Sequence, residues 1–470
     1  MPELHYMALV DLALALQARD VSPVEVCRAM LERIERIDPT LHAYTTVTPD
    51  RALEQAARAE AAIMRGVRLP LLGVPVAVKD LCDTEGVRTT AGMAQFANRV
   101  PTANATVVQR LLDAGAVLLG KLTTTEGAGV LHHPTVTAPI NPWNAACWSG
   151  ASSSGSGVAT AAGLCFGAIG TDTAGSIRFP SACNGVVGLK PTFGRVPKDG
   201  VFPLGPSLDH VGPMTRSVRD AARMLGVLSG PSDLDPMAAR SPVGDYEAAM
   251  EQGVRGVRIG LDEKYCTQNL DGDLSRGVLA AARRLEELGA VIRPIAVADV
   301  DAAVDAFVVI FHAELAAVHR PLFRASPEKY GPHFRGMIEV GLRVSGVDYA
   351  AAHEARLRFC GRLEALLDEV DLLVCPPALT PAPPLEALLG TPTGFGEMKI
   401  TLPYTTPFNL AGAPTLTLPC GFRADDVPLA VQLVAAPFRE GLLLRAARAY
   451  EEATEWHGRH PEGFPPRARA

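Results

Sequence analysis

From residue 127 to residue 171 the chain contains no Asp, Glu, Lys or Arg. Loops that face solvent normally carry charge, so this stretch is expected to be buried or to line a cavity. Pro, Asn, Ser and Gly interrupt it, which argues against a membrane segment. Its many Ser and Gly residues are then expected to form hydrogen bonds inside the protein.

Other absences exclude whole classes of protein. No run of about 18 apolar residues occurs, so the sequence predicts no membrane span, and Met1–His5 does not begin a secretory signal. The chain has no cluster of Lys and Arg residues, so the sequence does not indicate a nucleic-acid partner. The net charge of −7 favours solubility. The nine cysteines are far apart and form no Cys-X-X-Cys pair, which predicts buried reduced thiols and a cytoplasmic location.

Several familiar catalytic patterns are also missing. There is no Gly-X-Ser-X-Gly elbow and no His-Glu-X-X-His metal motif. Gly115–Lys121 nearly matches a phosphate-binding loop, but Leu122 stands where that motif needs Ser or Thr, so a strand is favoured. His132 and His133 are interpreted as loop residues and Cys183 as a small core residue. The sequence therefore predicts no metal and no cofactor.

The hydrophobic pattern predicts an α/β fold. Ser22–Glu25 forms a capping box that should start a helix with Val26, Met30 and Ile34 on one face. Gly73–Lys79 is a short buried strand that ends in a lysine. Further helices are predicted at 105–114, 158–162, 218–228, 274–288, 302–318, 350–367 and 440–453, and strands at 116–119, 164–169, 186–189, 257–261, 372–374, 415–418 and 429–434. Pro376–Pro384 is predicted as a loop, and no linker divides the chain.

The most informative segments are Gly150–Gly157 and Gly170–Arg178. A flexible linker is the simplest reading of a Gly/Ser-rich run, but the apolar flanks and the missing charge argue against it. Backbone that turns tightly in the interior can point successive N–H groups at one anionic oxygen. Ser176 would be the nucleophile beside such a nest. Lys79 would be its base, because burial disfavours the charged form of lysine.

These segments resemble the motifs of the amidase-signature family. The spacing of 24 residues between Ser152 and Ser176 is similar to that between the family's bridging serine and its nucleophile. The segments that carry the resemblance are Gly73–Asp80, Ser152–Gly157, Gly170–Arg178, Gly188–Thr192, Phe408–Pro414 and Leu418–Gly421. The resemblance extends from near the N-terminus to about His460.

The resemblance implies the architecture. It predicts the amidase-signature fold, a large mixed and mostly twisted β-sheet core with helices on both faces. Residues 1–470 would form a single domain. Its signature core would span about residues 70–195, and the part from about 250 to 460 would complete the sheet and the substrate pocket.

The resemblance also implies a Ser–cis-Ser–Lys mechanism. Neutral Lys79 would take a proton through Ser152 while Ser176 attacks the carbonyl carbon of the amide. A cis peptide would precede Ser152. The N–H groups of an oxyanion hole would be those of Thr173, Ala174, Gly175 and Ser176, and Ser153, Asp172 and Arg178 would support the site. The family usually has glycine where Ala151 and Ala174 stand, and since neither methyl removes a donor, activity is expected to survive.

Leu402 bears on the substrate. The glutamine-handling subunits of tRNA-dependent amidotransferases belong to this family and carry an acid seven residues before Asn409, a position that Leu402 occupies here. The sequence therefore favours a stand-alone amidase for small apolar or aryl amides, with aryl esters and carbamates as further substrates. The alternatives are a non-catalytic binding protein and one of those amidotransferase subunits. The hypothesis for the oligomeric state is a homodimer.

Overall fold

The computed structural model describes residues 3–386 and 401–466. Within these ranges the chain forms fourteen α-helices and eleven strands. The strands are β1 Tyr44–Val47, β2 Pro75–Lys79, β3 Val117–Leu122, β4 Gly167–Asp172, β5 Val187–Lys190, β6 His210–Thr215, β7 Arg258–Leu261, β8 Val291–Pro294, β9 Leu372–Cys375, β10 Thr415–Phe422 and β11 Pro428–Ala435.

The helices alternate with the strands, as predicted for an α/β fold. They are α1 Leu9–Ala18, α2 Pro23–Leu41, α3 Pro49–Met64, α4 Thr106–Asp113, α5 Ser154–Ala161, α6 Arg178–Asn184, α7 Val218–Leu228, α8 Tyr246–Met250, α9 Gly272–Glu287, α10 Val300–Ala325, α11 Pro332–Gly341, α12 Gly346–Glu369, α13 Leu402–Leu410 and α14 Glu440–Glu452.

All eleven strands join one mixed sheet in the order β1-β3-β2-β4-β6-β5-β10-β11-β9-β7-β8. Two groups are parallel, β3-β2-β4 and β9-β7-β8, and the strands between them pair antiparallel. β5 and β10 lie side by side, so early and late parts of the chain meet in the middle of the sheet. The large mixed sheet that the family resemblance implied is confirmed.

Several local predictions are confirmed in detail. The Ser22 hydroxyl accepts the N–H groups of Val24 and Glu25 at the start of α2, whose Val26, Met30 and Ile34 are buried. α7 has the predicted bounds. The prediction for β4 was wrong by three residues, because the chain turns at Gly163 (φ +65°) and pairs with β6 only from Gly167 to Asp172.

The charge-free stretch is buried over most of its length, as predicted, but Pro134–Ala138 reaches the surface. α10 has the length and the apolar composition of a helix that could cross a membrane. In the fold, however, 56% of its most apolar 18-residue stretch is buried. It contacts α11, α12 and α13, so its apolar residues belong to the core. Acidic residues such as Asp305 and Glu314 interrupt it, which is why no continuous apolar run was found in the sequence.

Candidate active site

Two neighbouring parallel strands bring Lys79 and Thr171 together. β2 and β4 pair with Val78 opposite Ile169, so Lys79 at the end of β2 lies beside the end of β4. The Lys79 Nζ donates to Thr171 Oγ1 at 2.8 Å and to Ser152 Oγ at 2.7 Å. The structure therefore places two of the three predicted catalytic side chains in direct contact. The bond to Thr171 was not predicted, although Thr171 lies within one of the motifs.

The environment of Lys79 disfavours the charged form of its side chain. The side chain is fully buried, and burial lowers the pKa of Lys79 to about 7, although the negative charges of Asp172 and Asp209 act to raise it. Its two contacts are neutral hydroxyls, which do not stabilise an ammonium as a carboxylate would. A large fraction of Lys79 is therefore uncharged at neutral pH.

The loop before α5 carries Ser152 and is tied through Ser153 to the turn that carries Ser176. The Ala151–Ser152 peptide is cis, as the family resemblance implied. The N–H of Ser153 donates to the carbonyl oxygen of Ser176 at 3.3 Å, and the Ser153 hydroxyl donates to the Thr171 carbonyl at 3.2 Å. Ser153 thus ties the loop to both the end of β4 and the Ser176 turn.

Asp172 shapes the turn that carries Ser176. Its Oδ1 accepts the N–H of Gly175 at 2.8 Å, and its Oδ2 accepts the N–H of Ile177 at 3.1 Å. Gly175 has φ +113°, and a Cβ at this position would lie 2.7 Å from Thr405 Cγ2. Glycine is therefore required at 175 for both conformation and space. Ala174 is not among the residues with positive φ, so its methyl group is accommodated.

The four predicted oxyanion donors differ in the hydrogen bonds that they form within the protein. The N–H of Gly175 is already donated to Asp172, because the carboxylate folds back under the turn. Among the residues that the structure describes, the N–H groups of Thr173, Ala174 and Ser176 have no acceptor within the protein. These three N–H groups therefore differ from that of Gly175, which has an acceptor in the protein.

A buried ion pair fixes this turn from below. Arg178 and Asp172 are both fully buried and form two hydrogen bonds, from Nε to Oδ2 at 3.0 Å and from Nη2 to Oδ1 at 2.9 Å. Burial alone would raise the pKa of Asp172, but the Arg178 guanidinium holds it well below its usual range. Asn409 and Gln432 accept further hydrogen bonds from Arg178. The Asn409 motif was noted in the sequence, whereas nothing there indicated Gln432.

Ser176 opens into a small pocket, here called the Ser176 pocket. The Ser176 residue is 9% exposed, and the pocket holds about 40 Å³ of free space. Its walls include Ala128, Gly129, Val130 and Trp148 from the charge-free stretch, together with Ala151, Phe179, Leu204, Phe311 and Thr401. None of these side chains is ionisable, as the sequence predicted for the walls from Gly127 to Trp148. Leu402 is buried at the start of α13, directly after Thr401.

The other residues that were noted in the sequence have structural contacts in the fold. Lys121 lies in β3, fully buried, and donates to the Thr84 and Thr89 hydroxyls at 3.0 Å, which confirms the strand interpretation. His132 Nε2 lies 3.0 Å from the Ser154 hydroxyl. Burial raises the pKa of Cys183 well above its usual value. Over residues 3–386 and 401–466, no group of His, Cys, Asp and Glu has an arrangement suited to a metal ion.

Comparison with known proteins shows the family to which this chain belongs. A family model described as Amidase matches residues 25–444. A Mycobacterium tuberculosis protein called "Putative amidase AmiD" is 41% identical, covering 97% of this chain and 96% of that protein. A glutamyl-tRNA(Gln) amidotransferase subunit from Geobacter is 37% identical, covering 97% and 99%. The structure of a peptide amidase from Stenotrophomonas maltophilia superimposes with a TM-score of 0.84 at 30% identity, covering 98% and 99%.

Proposed function

Because this chain belongs to the amidase family and is an amide-hydrolysing enzyme, we propose that it cleaves small apolar or aryl amides through an acyl-enzyme on Ser176. The observation that carries the proposal is the buried contact between Lys79 and Ser152 beside the Ser176 pocket. Aryl esters and carbamates are proposed as further substrates, since they give the same kind of covalent intermediate with a better leaving group.

The proposed reaction begins with proton transfer. Neutral Lys79 takes the Ser152 hydroxyl proton as Ser152 takes that of Ser176, and the Ser176 Oγ forms a bond to the carbonyl carbon. The free N–H groups of Thr173, Ala174 and Ser176 bind the oxygen that becomes negative. Such donors act strongly because they are oriented before the charge develops, and losing one typically costs about 10²–10³ in rate.

The second half reverses the proton path. The C–N bond breaks, the amine nitrogen takes a proton from Ser152, and Lys79 returns its proton to Ser152. Water then adds to the acyl carbon, gives a proton to the same relay, and releases the acid and the Ser176 hydroxyl. Lys79 ends the cycle uncharged, as it began.

The size and polarity of the pocket support an uncharged acyl group. An ammonium group placed in the Ser176 pocket would find no carboxylate among the lining residues that the structure describes, and burial of an unpaired charge is costly. Leu402 stands next to the pocket residue Thr401 at the position where amidotransferase subunits carry an acid. A glutaminase role remains the second candidate, because the Geobacter amidotransferase subunit matches almost the whole chain. The cytoplasm is the proposed location, since the nine cysteines are free thiols.

Intact mass measured after treatment with a fluorophosphonate tests the nucleophile. We expect one adduct on the wild type, none on Ser176→Ala, and one on Ser241→Ala, a control serine outside the site. A folded wild-type protein that forms no adduct would overturn the relay and favour a binding protein or a missing partner. Hydrolysis of glutamine, without hydrolysis of apolar amides, aryl amides or aryl esters, would favour the amidotransferase role.

A further inference from the structure

A second cavity, here called the rear cavity, lies against the Ser176 pocket. It holds about 300 Å³, compared with about 40 Å³ in the Ser176 pocket. Ala128 and Leu204 line both spaces, so together they form a partition between them. Apolar side chains dominate the rear cavity, among them Leu81, Val201, Phe202, Val211, Leu234 and Met237. Leu234 and Met237 are 76% and 46% exposed, which places the mouth of the cavity at this loop.

Two residues at the inner end of the rear cavity connect it to the candidate active site. Thr171 lines it, and the Thr171 hydroxyl accepts a hydrogen bond from Lys79. Thr173 lines it too, and the N–H of Thr173 is one of the three free donors beside Ser176. The Ser176 pocket therefore lies on the nucleophile's side of the reacting centre, and the rear cavity lies on the side of Lys79.

Asp209 holds the partition in place. Its Oδ1 accepts the Thr173 hydroxyl at 2.5 Å, and its Oδ2 accepts the N–H of Leu204 at 3.0 Å. The N–H of Gly205 donates to the same carboxylate. One partly buried carboxylate thus holds both Leu204 of the partition and Thr173 of the rear cavity in place.

The charged groups that line the rear cavity are engaged by the protein itself. Lys198 Nζ donates to the Pro206 carbonyl at 2.7 Å. The Asp235 carboxylate accepts the N–H groups of Lys198 and Met237, and the Asp199 carboxylate accepts the hydroxyls of Thr106 and Ser232. The wall that remains for a ligand is mainly hydrocarbon, which suits an apolar or aromatic group.

We infer that the rear cavity receives the amine half of the substrate, so that the enzyme prefers amides with a short acyl group and a bulky apolar or aryl amine. This inference rests on the proposed acyl-enzyme mechanism. When the C–N bond breaks, the nitrogen takes the Ser152 proton and must therefore face the relay. The substituent on that nitrogen then continues past Thr171 into the larger space, while the acyl group stays with Ser176 in the smaller one.

Two isomeric amides distinguish binding of the acyl half of the substrate from binding of the amine half. N-benzylacetamide has a short acyl group and a bulky amine, whereas 3-phenylpropanamide has a bulky acyl group and releases ammonia. The measured quantity is the ratio of kcat/KM for N-benzylacetamide to that for 3-phenylpropanamide. We expect Val201→Trp, which fills the rear cavity, to lower this ratio about 10-fold or more, and Val130→Trp, which fills the Ser176 pocket, to raise it by a similar factor. Val347→Trp, at a side chain that is 79% exposed on α12, should not change it.

Labelling of Ser176 by the fluorophosphonate confirms that each variant is folded, and Met237→Trp at the mouth replaces Val201→Trp if that variant is not labelled. An unchanged or increased ratio in the variant that fills the rear cavity would overturn the assignment, even though both amides are hydrolysed. Labelling without hydrolysis of either amide would instead overturn the proposed function itself, and the assignment with it.

Discussion

The guanidinium of Arg178 and the carboxylate of Asp172 face each other in a fully buried pair joined by two hydrogen bonds. Removing one member of such a pair leaves the other charge buried without compensation, which typically costs about 3–5 kcal/mol. Asp172→Asn should therefore lower the free energy of unfolding by about that amount and abolish labelling of Ser176, because the turn loses its anchor.

Chemical denaturation measures the change, with Asp11→Asn as the matched control. Asp11 pairs with Arg219 at 3.2 Å on the surface, with both side chains about one-third to one-half exposed. Exposed pairs contribute about 0–1 kcal/mol, so the control should remain nearly as stable as the wild type. Equal small losses in the two variants would contradict the structural role of the buried pair.

The pH dependence of kcat/KM follows from Lys79. The relay needs the neutral amine, and burial lowers the pKa of Lys79 to about 7. Activity should therefore rise as the pH increases through about 7 and level off above it. Lys79→Met should remove both the activity and the adduct, while the protein stays folded because no ion pair is broken. A profile that rises only near pH 10, where an ordinary lysine loses its proton, would show that burial does not lower the pKa of Lys79.

Asp209 should tune that profile. Its negative charge raises the pKa of Lys79, in opposition to burial, so Asp209→Asn should shift the rising limb of kcat/KM to lower pH. A lower kcat is also expected, because asparagine has one acceptor oxygen where the carboxylate uses two, for Thr173 and for Leu204. Asp199→Asn, in the same cavity, is the control for which the limb should not move. A lower kcat with no shift in the pH profile of kcat/KM would show that Asp209 holds the loop but does not influence the pKa of Lys79.

The turn at Ser176 predicts opposite effects for two adjacent substitutions. Gly175→Ala adds a methyl group 2.7 Å from Thr405 Cγ2 at a residue with φ +113°, so labelling of Ser176 should fall by at least about 100-fold. Ala174→Gly, at a residue without a left-handed conformation in the native turn, should keep activity within a few-fold. Rates of fluorophosphonate labelling measure both. Similar rates in the two variants would mean that the turn relaxes around the added methyl.

The sequence predicted the parts of the site that depend on local patterns. The apolar run before Lys79 indicated a strand that ends at the lysine, and the Gly/Ser segments indicated the turns of Ser152 and Ser176. Contacts between distant segments were not readable in this way. Gln432 reaches Arg178 only because β11 lies two strands from β5, and Asp209 reaches Thr173 only because β6 runs antiparallel to β4.

α13 is one of several elements that the sequence pattern did not predict, and its prolines explain why. Pro403 and Pro407 both lie in this helix, and proline usually indicates a break. Pro403 occupies the first turn, where its missing N–H is tolerated. Pro407 leaves the Pro403 carbonyl without a helical donor, and the hydroxyl of Tyr265 donates to that oxygen instead. A residue distant in sequence thus compensates for a local defect.

The pairing of β5 with β10 in the middle of the sheet also sets the time at which the site can form during synthesis. Lys79, Ser152 and Ser176 leave the ribosome early, but the acceptors that surround Arg178 come from α13 and β11, near the end of the chain. Until those segments emerge, Arg178 lacks its hydrogen-bond acceptors Asn409 and Gln432, and the Ser176 turn lacks the support that these bonds give. The nascent chain therefore carries Ser176 without a fully supported turn until α13 and β11 have also been synthesised.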